Sequence, residues 1–336
     1  MKKIMNGDLP EPKASIVVRA HNEARHIERL LTGIQQQVFL SQPVRDIEVI
    51  LVDSGSSDGT VELASQFGAP FPIRILHIQP EEFTFGRSLN LGIQHARSPL
   101  IVIASAHIYP VYPDWLERLL APFVDEQVVL TYGKQRGNQA SYFSEQQIFA
   151  TWYPALSQSR QNHPFCNNAN AAIRRRAWEA HPYDESLSGL EDLEWANWAL
   201  QNGYAISYSA EAEIIHVHQE SPRSVFNRYR REAMAFKRIF PQQRFGKLDL
   251  ARLVWRNIAS DLRQAAQHKM LRQNIGSIIW FRWMQFYGTY QGYRHTGPLT
   301  WQLRQTFYYP PDPAVSRQGQ IRPVKPILYP DLKEDS

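Results

Sequence analysis

The sequence predicts an α/β fold, with a doubly wound, mostly parallel sheet flanked by helices and followed by a helical C-terminal extension. Three observations predict it. Short apolar, β-branched runs recur as candidate strands. Stretches with apolar residues at helical spacing separate them. Polar loops collect where those strands end.

Taken in order, residues 15–20 (SIVVRA) form a buried strand, and His21-Asn22-Glu23 then opens a helix with Ile27, Leu30, Leu31 and Ile34 on one face. Residues 47–52 (IEVILV) are a second strand, apolar throughout as a parallel strand covered on both faces must be. The loop from Asp53 to Thr60 follows, with Ser57 or Asp58 placed to cap the next helix. A third strand fits 73–78, a helix 85–96 and a fourth strand 100–104. Downstream, 115–123 reads as a helix, 127–132 and 169–174 as strands, and 212–218 as extended. Between them, 190–202 is a helix with Leu193, Ala196 and Leu200 on one face, closed by Gly203. Beyond Pro222 the pattern changes to long Arg- and aromatic-rich helices at 224–240 and 276–290, and a proline-rich tail covers 309–336.

Of the 336 residues, 43% are apolar and 21% charged, a globular balance that excludes a disordered chain. Cys166 stands alone, which excludes an internal disulfide and a paired zinc–thiolate site. Neither a signal-peptide core nor a run of about 18 apolar residues is present, so the expectation is a cytoplasmic protein, with peripheral contact at the inner face of a membrane left open. Charge divides the chain. Through Glu220, 17 Lys and Arg stand against 25 Asp and Glu, a net −8, and the remainder holds 20 against 7, a net +13. The expected division is therefore a catalytic domain over 1–220 and a basic, aromatic-rich helical region over 221–336.

Open α/β sheets bind ligands beyond the carboxyl ends of their strands. Three polar clusters fall at that edge: His21-Asn22-Glu23, Asp53 to Asp58, and Ser105-Ala106-His107. An Asp at position 53 can accept the N3–H of a pyrimidine, while Ser54 and Gly55 let the backbone approach a ligand. Equally, Asp58 caps a helix and Asp53 orders a turn. No Gly-x-Gly-x-x-Gly follows the first strand, which separates this loop from the dinucleotide fingerprint. His107 alone reads as structural. His216 and His218, two apart on an extended segment, project to one face, and the three imidazoles together make a nitrogen donor set for a divalent cation. Such a cation would neutralise a diphosphate leaving group. Glu191 and Asp192, with Glu194, begin a helix; the helix dipole accounts for them, and so does a general base facing a cleft.

Together these stretches resemble the family 2 glycosyltransferases of GT-A fold, a Rossmann-like architecture, over residues 13–235. The resemblance is carried by SIVVRAHNE, VDSGSSDGT, FTFGRSLNLGI, the SAH position, FCNNANAAIRR, GLEDLEWA and IIHVHQES, in that order. It implies a nucleoside diphosphate sugar donor, with Asp53 holding the base, His21, Asn22 and Glu23 lining the same pocket, and Ser54, Gly55, Asp58, Ser105 and Ala106 beside them. Arg87 and Asn90 would lie near the phosphates or ribose. Asp192, next to Glu191, would deprotonate the acceptor hydroxyl for an inverting attack through an oxocarbenium-like state. Most members carry Asp-x-Asp at the position of Ser105-Ala106-His107. A branch similar to the polypeptide N-acetylgalactosaminyltransferases uses Asp-x-His with manganese and a second His from a later strand. His107 and His216 match those two, and Mn2+ or Mg2+ is the implied cofactor. Ser105 replaces the leading Asp and removes one anionic ligand. Gln135, Asn167, Asn168, Asn170 and Trp195 are candidates for sugar and acceptor contacts by position.

The expected acceptor is a hydroxyl of a polysaccharide, glycolipid or lipid-linked glycan. Arginines interleaved with Val225, Phe226, Tyr229, Phe236 and the aromatics around Arg282 suit an anionic membrane surface, or else pack on the catalytic domain. No nucleic-acid module is present in the sequence. The rival expectation is a catalytically inactive, nucleotide-binding scaffold or partner subunit.

Overall fold

The computed structural model describes residues 12–40, 42–139, 141–217, 220–295 and 325–329. Strand β1 (Ala14–Ala20) leads into helix α1 (Ile27–Gln35), the hairpin of β2 (Val38–Phe39) and β3 (Gln42–Pro43), and strand β4 (Ile47–Asp53). Helix α2 (Thr60–Gln66), strand β5 (Ile73–His77), helix α3 (Phe85–Gln94) and strands β6 (Leu100–Ser105) and β7 (Ile108–Pro110) come next. Helix α4 (Trp115–Leu120), strand β8 (Val128–Arg136), helix α5 (Phe143–Trp152), strand β9 (Asn170–Arg174) and helix α6 (Arg175–Ala180) follow. The chain continues through helix α7 (Glu191–Gln201), strand β10 (Ala205–His216) and three long helices, α8 (Pro222–Ile239), α9 (Lys247–Gln267) and α10 (Leu271–Arg294).

Eight strands form one sheet in the order β5-β4-β1-β6-β9-β8-β10-β7. The first four run parallel, as does the β8–β10 pair. The sheet is mixed, however, because β9 is antiparallel to both neighbours and β7 is antiparallel to β10. Apolar runs reveal that a strand is buried but carry no information about its direction, so the sequence supports the parallel core and not these reversals. Alternate residues of the central strands enter separate cores. Ile16, Val18, Val49 and Leu51 meet Ile27, Leu30 and Ile34 of α1 on one face. Val17, Ile50 and Val52 meet Leu89 and Ile93 of α3 on the other. Each such side chain, fully buried, contributes about 1.5–3 kcal/mol. Helix α5 was not foreseen because its buried side chains, Phe143, Ser144, Glu145 and Phe149, mix polar with apolar.

The C-terminal helices are fastened to the sheet unit by polar as well as apolar contacts. Arg282 of α10 grips Asp261 of α9 with two hydrogen bonds, at 2.7 and 3.0 Å, and Ser144 of α5 donates to the same carboxylate at 2.6 Å. Gly288 and Gly292 let α10 approach the α8 backbone, since a Cβ at either would stand 2.4 Å from a carbonyl oxygen. Residues 325–329 lie against β7, where Tyr329 Oη donates to the Pro110 carbonyl at 2.6 Å. The rest of the expected proline-rich tail lies outside the described residues.

Candidate active site

Sheet register assembles the site. Ala20 stands opposite Asp53, and Arg19 opposite Ser105, so β1, β4 and β6 end side by side and deliver their loops to one edge. A cleft of about 380 Å³ opens there, its wall including His21, Glu23, Ser54, Ser105, His107 and Asp192.

The first two loops are stitched together. Asn22 takes a left-handed conformation (φ 54°), which its side chain tolerates, and its Oδ1 accepts the Ser57 amide at 2.9 Å. Its own amide donates to Ser56 Oγ at 2.9 Å. Asp58 accepts from the Ala24 amide at 2.9 Å and from the Thr60 amide and hydroxyl at 3.1 and 2.5 Å. Burial opposes the charge on Asp58, but these hydrogen bonds, that of Thr60 foremost, hold its pKa below the usual carboxylate value. Asp53, 2% exposed, accepts from the amides of Gly55 and Ser56. Asn22, Asp53, Gly55 and Asp58 thus build the loops, while His21, Glu23 and Ser54 reach the cleft.

His107 and His216, which the family resemblance pairs, stand with their rings stacked at 5.0 Å. The Nδ1 of His107 lies 2.6 Å from Glu23 Oε1. Burial lowers the pKa of His107, but the charge and hydrogen bond of Glu23 outweigh it and raise the value above that of free imidazole. The tautomer of His216 follows from its partners. Asn167 Oδ1 accepts the Ala169 amide at 2.9 Å, so it also accepts from Gln135 Nε2 at 3.1 Å. Gln135 must then turn Oε1 to His216 Nδ1 at 2.8 Å, which makes that nitrogen a donor. With Nδ1 protonated in both rings, each neutral imidazole carries its lone pair on Nε2, the arrangement found in metal-binding histidines. Two imidazole nitrogens are thus in the protonation state that a divalent cation requires of its ligands. Among the described residues, no three His, Cys, Asp or Glu gather into a ligand cluster. His218 lies outside the described residues.

Glu191 and Asp192 occupy the first turn of α7, entered through Leu190 at φ 57°, a conformation strained for a leucine. Both carboxylates are buried and held. Asp192 accepts the amides of Asn168 at 3.1 Å and Leu193 at 2.8 Å. Glu191 meets Asn168 Nδ2 at 3.3 Å and Arg19 at 3.5 Å. Burial, and then the charge of Glu191, push the pKa of Asp192 up to about 7, against those hydrogen bonds. A carboxylate so placed can take up a proton near neutral pH.

One wall was missed by sequence reasoning. Ser224, Asn227, Arg228 and Arg231 of α8 line the cleft from the basic half of the chain. Their three- and four-residue spacing is a single helical face, a signal present in the sequence but obscured by the arginines and aromatics around it. Arg228 is bound by Glu145 at 3.1 Å and Glu220 at 2.5 Å. Arg19 and Phe85 also line the cleft and were not anticipated.

Five other candidate residues stand away from the cleft wall. Asn90 is buried and spends its amide on Trp178, Tyr183 and Glu185. Arg87 pairs with Glu82 at 3.2 Å on the surface. Neither lines the cleft. Ala106 turns its side chain into the core. Asn170 and Trp195 are structural as well, the first bonded to Trp115 and two backbone carbonyls, the second donating to the His181 carbonyl. Short polar or aromatic side chains next to a motif are as useful for bracing it as for meeting a ligand.

The profile described as Glycosyl transferase family 2 matches residues 15–181, which hold the first three loops. The chain is a family 2 glycosyltransferase. This glycosyltransferase is 25% identical to the glycosyltransferase AglE of Haloferax volcanii over 63% of its own length and 68% of that protein's. It is 29% identical to the O-antigen chain rhamnosyltransferase WbaN of Salmonella anatum, over 57% of this chain and 63% of that one. The matched stretches thus span about two thirds of these relatives. Among solved structures, the mannosyltransferase PcManGT from Pyrobaculum calidifontis, in complex with GDP-Man and Mn2+, superposes with a TM-score of 0.57 at 19% identity, covering 83% of this chain and 85% of that one. TarS 1–349 of S. aureus in complex with UDP gives 0.50 at 13% identity, covering 83% and 91%. The glycosyltransferase has the GT-A fold of these neighbours, with C-terminal helices added to the mixed sheet.

Proposed function

We propose that this glycosyltransferase moves a sugar from a nucleoside diphosphate sugar to a hydroxyl of a polysaccharide, glycolipid or lipid-linked acceptor, with inversion at the anomeric carbon. The observation that carries the reading is Asp192, a buried carboxylate with a raised pKa that lines the same cleft as the loops after β1, β4 and β6. The neighbours' complexes with GDP-Man and UDP support a nucleotide-sugar donor, and the rhamnosyltransferase relative supports a glycan acceptor.

In this reading the nucleoside end is received by His21, Glu23 and Ser54, on a floor ordered by Asp53 and Asp58. Asp192 withdraws the acceptor proton as the acceptor oxygen bonds to the anomeric carbon and the diphosphate departs from the opposite face. Glu191 keeps the Asp192 carboxylate basic, and Asn168 orients both. A divalent cation, when bound, would be held by His107 and His216 and would supply positive charge to the leaving diphosphate. Nitrogen donors suit Mn2+ better than Mg2+.

The catalytic unit is proposed to cover 1–220, with 221–336 serving as its basic C-terminal region at the cytoplasmic face of a membrane. Among the described residues no helix is long and apolar enough to cross one. On α10, Ile275, Ile279 and Trp283 are exposed at four-residue spacing, and on α9 Trp255 is 75% exposed beside Arg252 and Arg256. Such surfaces suit the headgroup region of an anionic bilayer.

The deciding experiment compares wild type with Asp192→Asn. The variant folds, binds nucleoside diphosphate and loses transfer by at least about 100-fold, the scale of a lost general base. Transfer at the wild-type rate, or a product that retains the donor's anomeric configuration by NMR, sinks the assignment.

A further inference from the structure

We propose that Arg19 and Arg231, gathered on the ring of Phe85, bind the diphosphate of the donor; this assignment rests on the nucleotide-sugar reading above. The guanidinium carbons stand 4.6 and 4.7 Å from the same ring centroid, although one arginine belongs to β1 and the other to α8. All three residues line the cleft. An aromatic face attracts and orients a guanidinium but does not cancel its charge. Two like charges are therefore concentrated at one point of the wall.

The surroundings of Arg19 differ from those of Arg228. That side chain is matched by two carboxylates, Glu145 and Glu220. Among the described residues, the one carboxylate contact of Arg19 is the long 3.5 Å approach to Glu191, which is shared with Asn168. The Arg19 Nε is buried and, among the described residues, has no hydrogen-bond partner. The planar fork of a guanidinium matches phosphate oxygens in pairs, which is what an arginine so placed is suited to do.

Position identifies which part of the donor the pair meets. Arg19 lies two residues before His21, at the nucleoside end. Arg231 rests against Gly189, where a Cβ would stand 3.4 Å from its Nε, three residues before Asp192. The pair spans the interval between base pocket and transfer point, and the diphosphate joins those two parts of a sugar nucleotide. A diphosphate could also belong to a lipid-linked acceptor, so the test separates the two sources.

GDP, GMP, UDP, UMP and geranyl diphosphate are titrated calorimetrically into the full chain and into Arg231→Ala, Arg231→Lys and Arg19→Lys, with thermal unfolding confirming each fold. Arg231→Ala is expected to weaken the nucleoside diphosphate that binds wild type by about 10- to 100-fold, as loss of a charged hydrogen bond does. The monophosphate of the same base changes by no more than about threefold on that scale, and Arg231→Lys recovers part of the loss. Equal losses for diphosphate and monophosphate, or no loss, overturn the proposal. A loss confined to geranyl diphosphate overturns the donor assignment and transfers the pair to the acceptor. If wild type binds none of the four nucleotides, the nucleotide-sugar reading itself fails and this assignment with it. Should Arg231→Ala unfold, Arg231→Lys and Phe85→Leu carry the same comparison.

Discussion

Glu23 Oε1 sits 2.6 Å from His107 Nδ1, which ties the turn after β1 to the turn after β6. The contact fixes the ring's orientation and makes Nδ1 the protonated nitrogen. Partners of this kind set the basicity of an imidazole toward a metal.

Glu23→Gln should therefore raise the Mn2+ concentration for half-maximal transfer by about 10- to 100-fold, with little change in thermal stability. Metal titrations of initial rate check it. A variant with the wild-type metal curve would remove His107 from the proposed cation site.

Transfer should depend on pH through Asp192. A base works deprotonated, and burial with the charge of Glu191 places this carboxyl at about 7. Activity thus rises as pH increases through that value and falls about tenfold per unit below it. Glu191→Gln removes the like charge, so the rising limb shifts to lower pH. A limb that stays in place, measured as kcat/KM against pH, contradicts the coupling.

Asn90 offers the opposite test, of a residue that braces rather than binds. Asn90→Ala leaves the Trp178 indole N–H and the Tyr183 backbone without their partner and should cost about 2–4 kcal/mol in urea unfolding. Donor KM should stay within about twofold under conditions where the variant is folded. A large KM effect at unchanged stability would return Asn90 to the donor site.

Membrane contact is checked by sedimentation with phosphatidylglycerol vesicles. Wild type should co-sediment at low salt and release as salt rises, because the basic side chains act through a screened potential. Ile279→Glu and Trp283→Glu should weaken binding at every salt concentration while leaving transfer to a soluble acceptor intact. Binding that ignores both substitutions and salt excludes this face.

The parallel half of the sheet and the ends of its strands were legible because burial on both faces forces continuous apolar runs, and because a parallel sheet puts its functional loops at one edge. The pairing of His107 with His216, more than a hundred residues apart, came from the family resemblance and not from spacing. Strand direction was not legible, so the reversal of β9 came only from the structure. Nor was the distinction between Asn168, which holds both carboxylates of the first α7 turn, and Asn170, which braces Trp115. The two lie two residues apart with the same chemistry, and only packing separates them. Arg231 was visible as charge but not as part of the cleft, since composition shows that a helix is basic without showing what it faces.

The α8 wall has a consequence for descent. Phe85, Gly189 and Arg231 meet at one place, though they come from three segments and both electrostatic halves of the chain. A crossover between relatives anywhere from residue 190 to 222 would join an aromatic ring and a glycine to a foreign helix. Lineages that survive such an exchange must bring a matching cation on the new helix or lose the ring. Across relatives, substitutions at positions 85, 189 and 231 should therefore covary, recording a constraint that no one of the three residues shows alone.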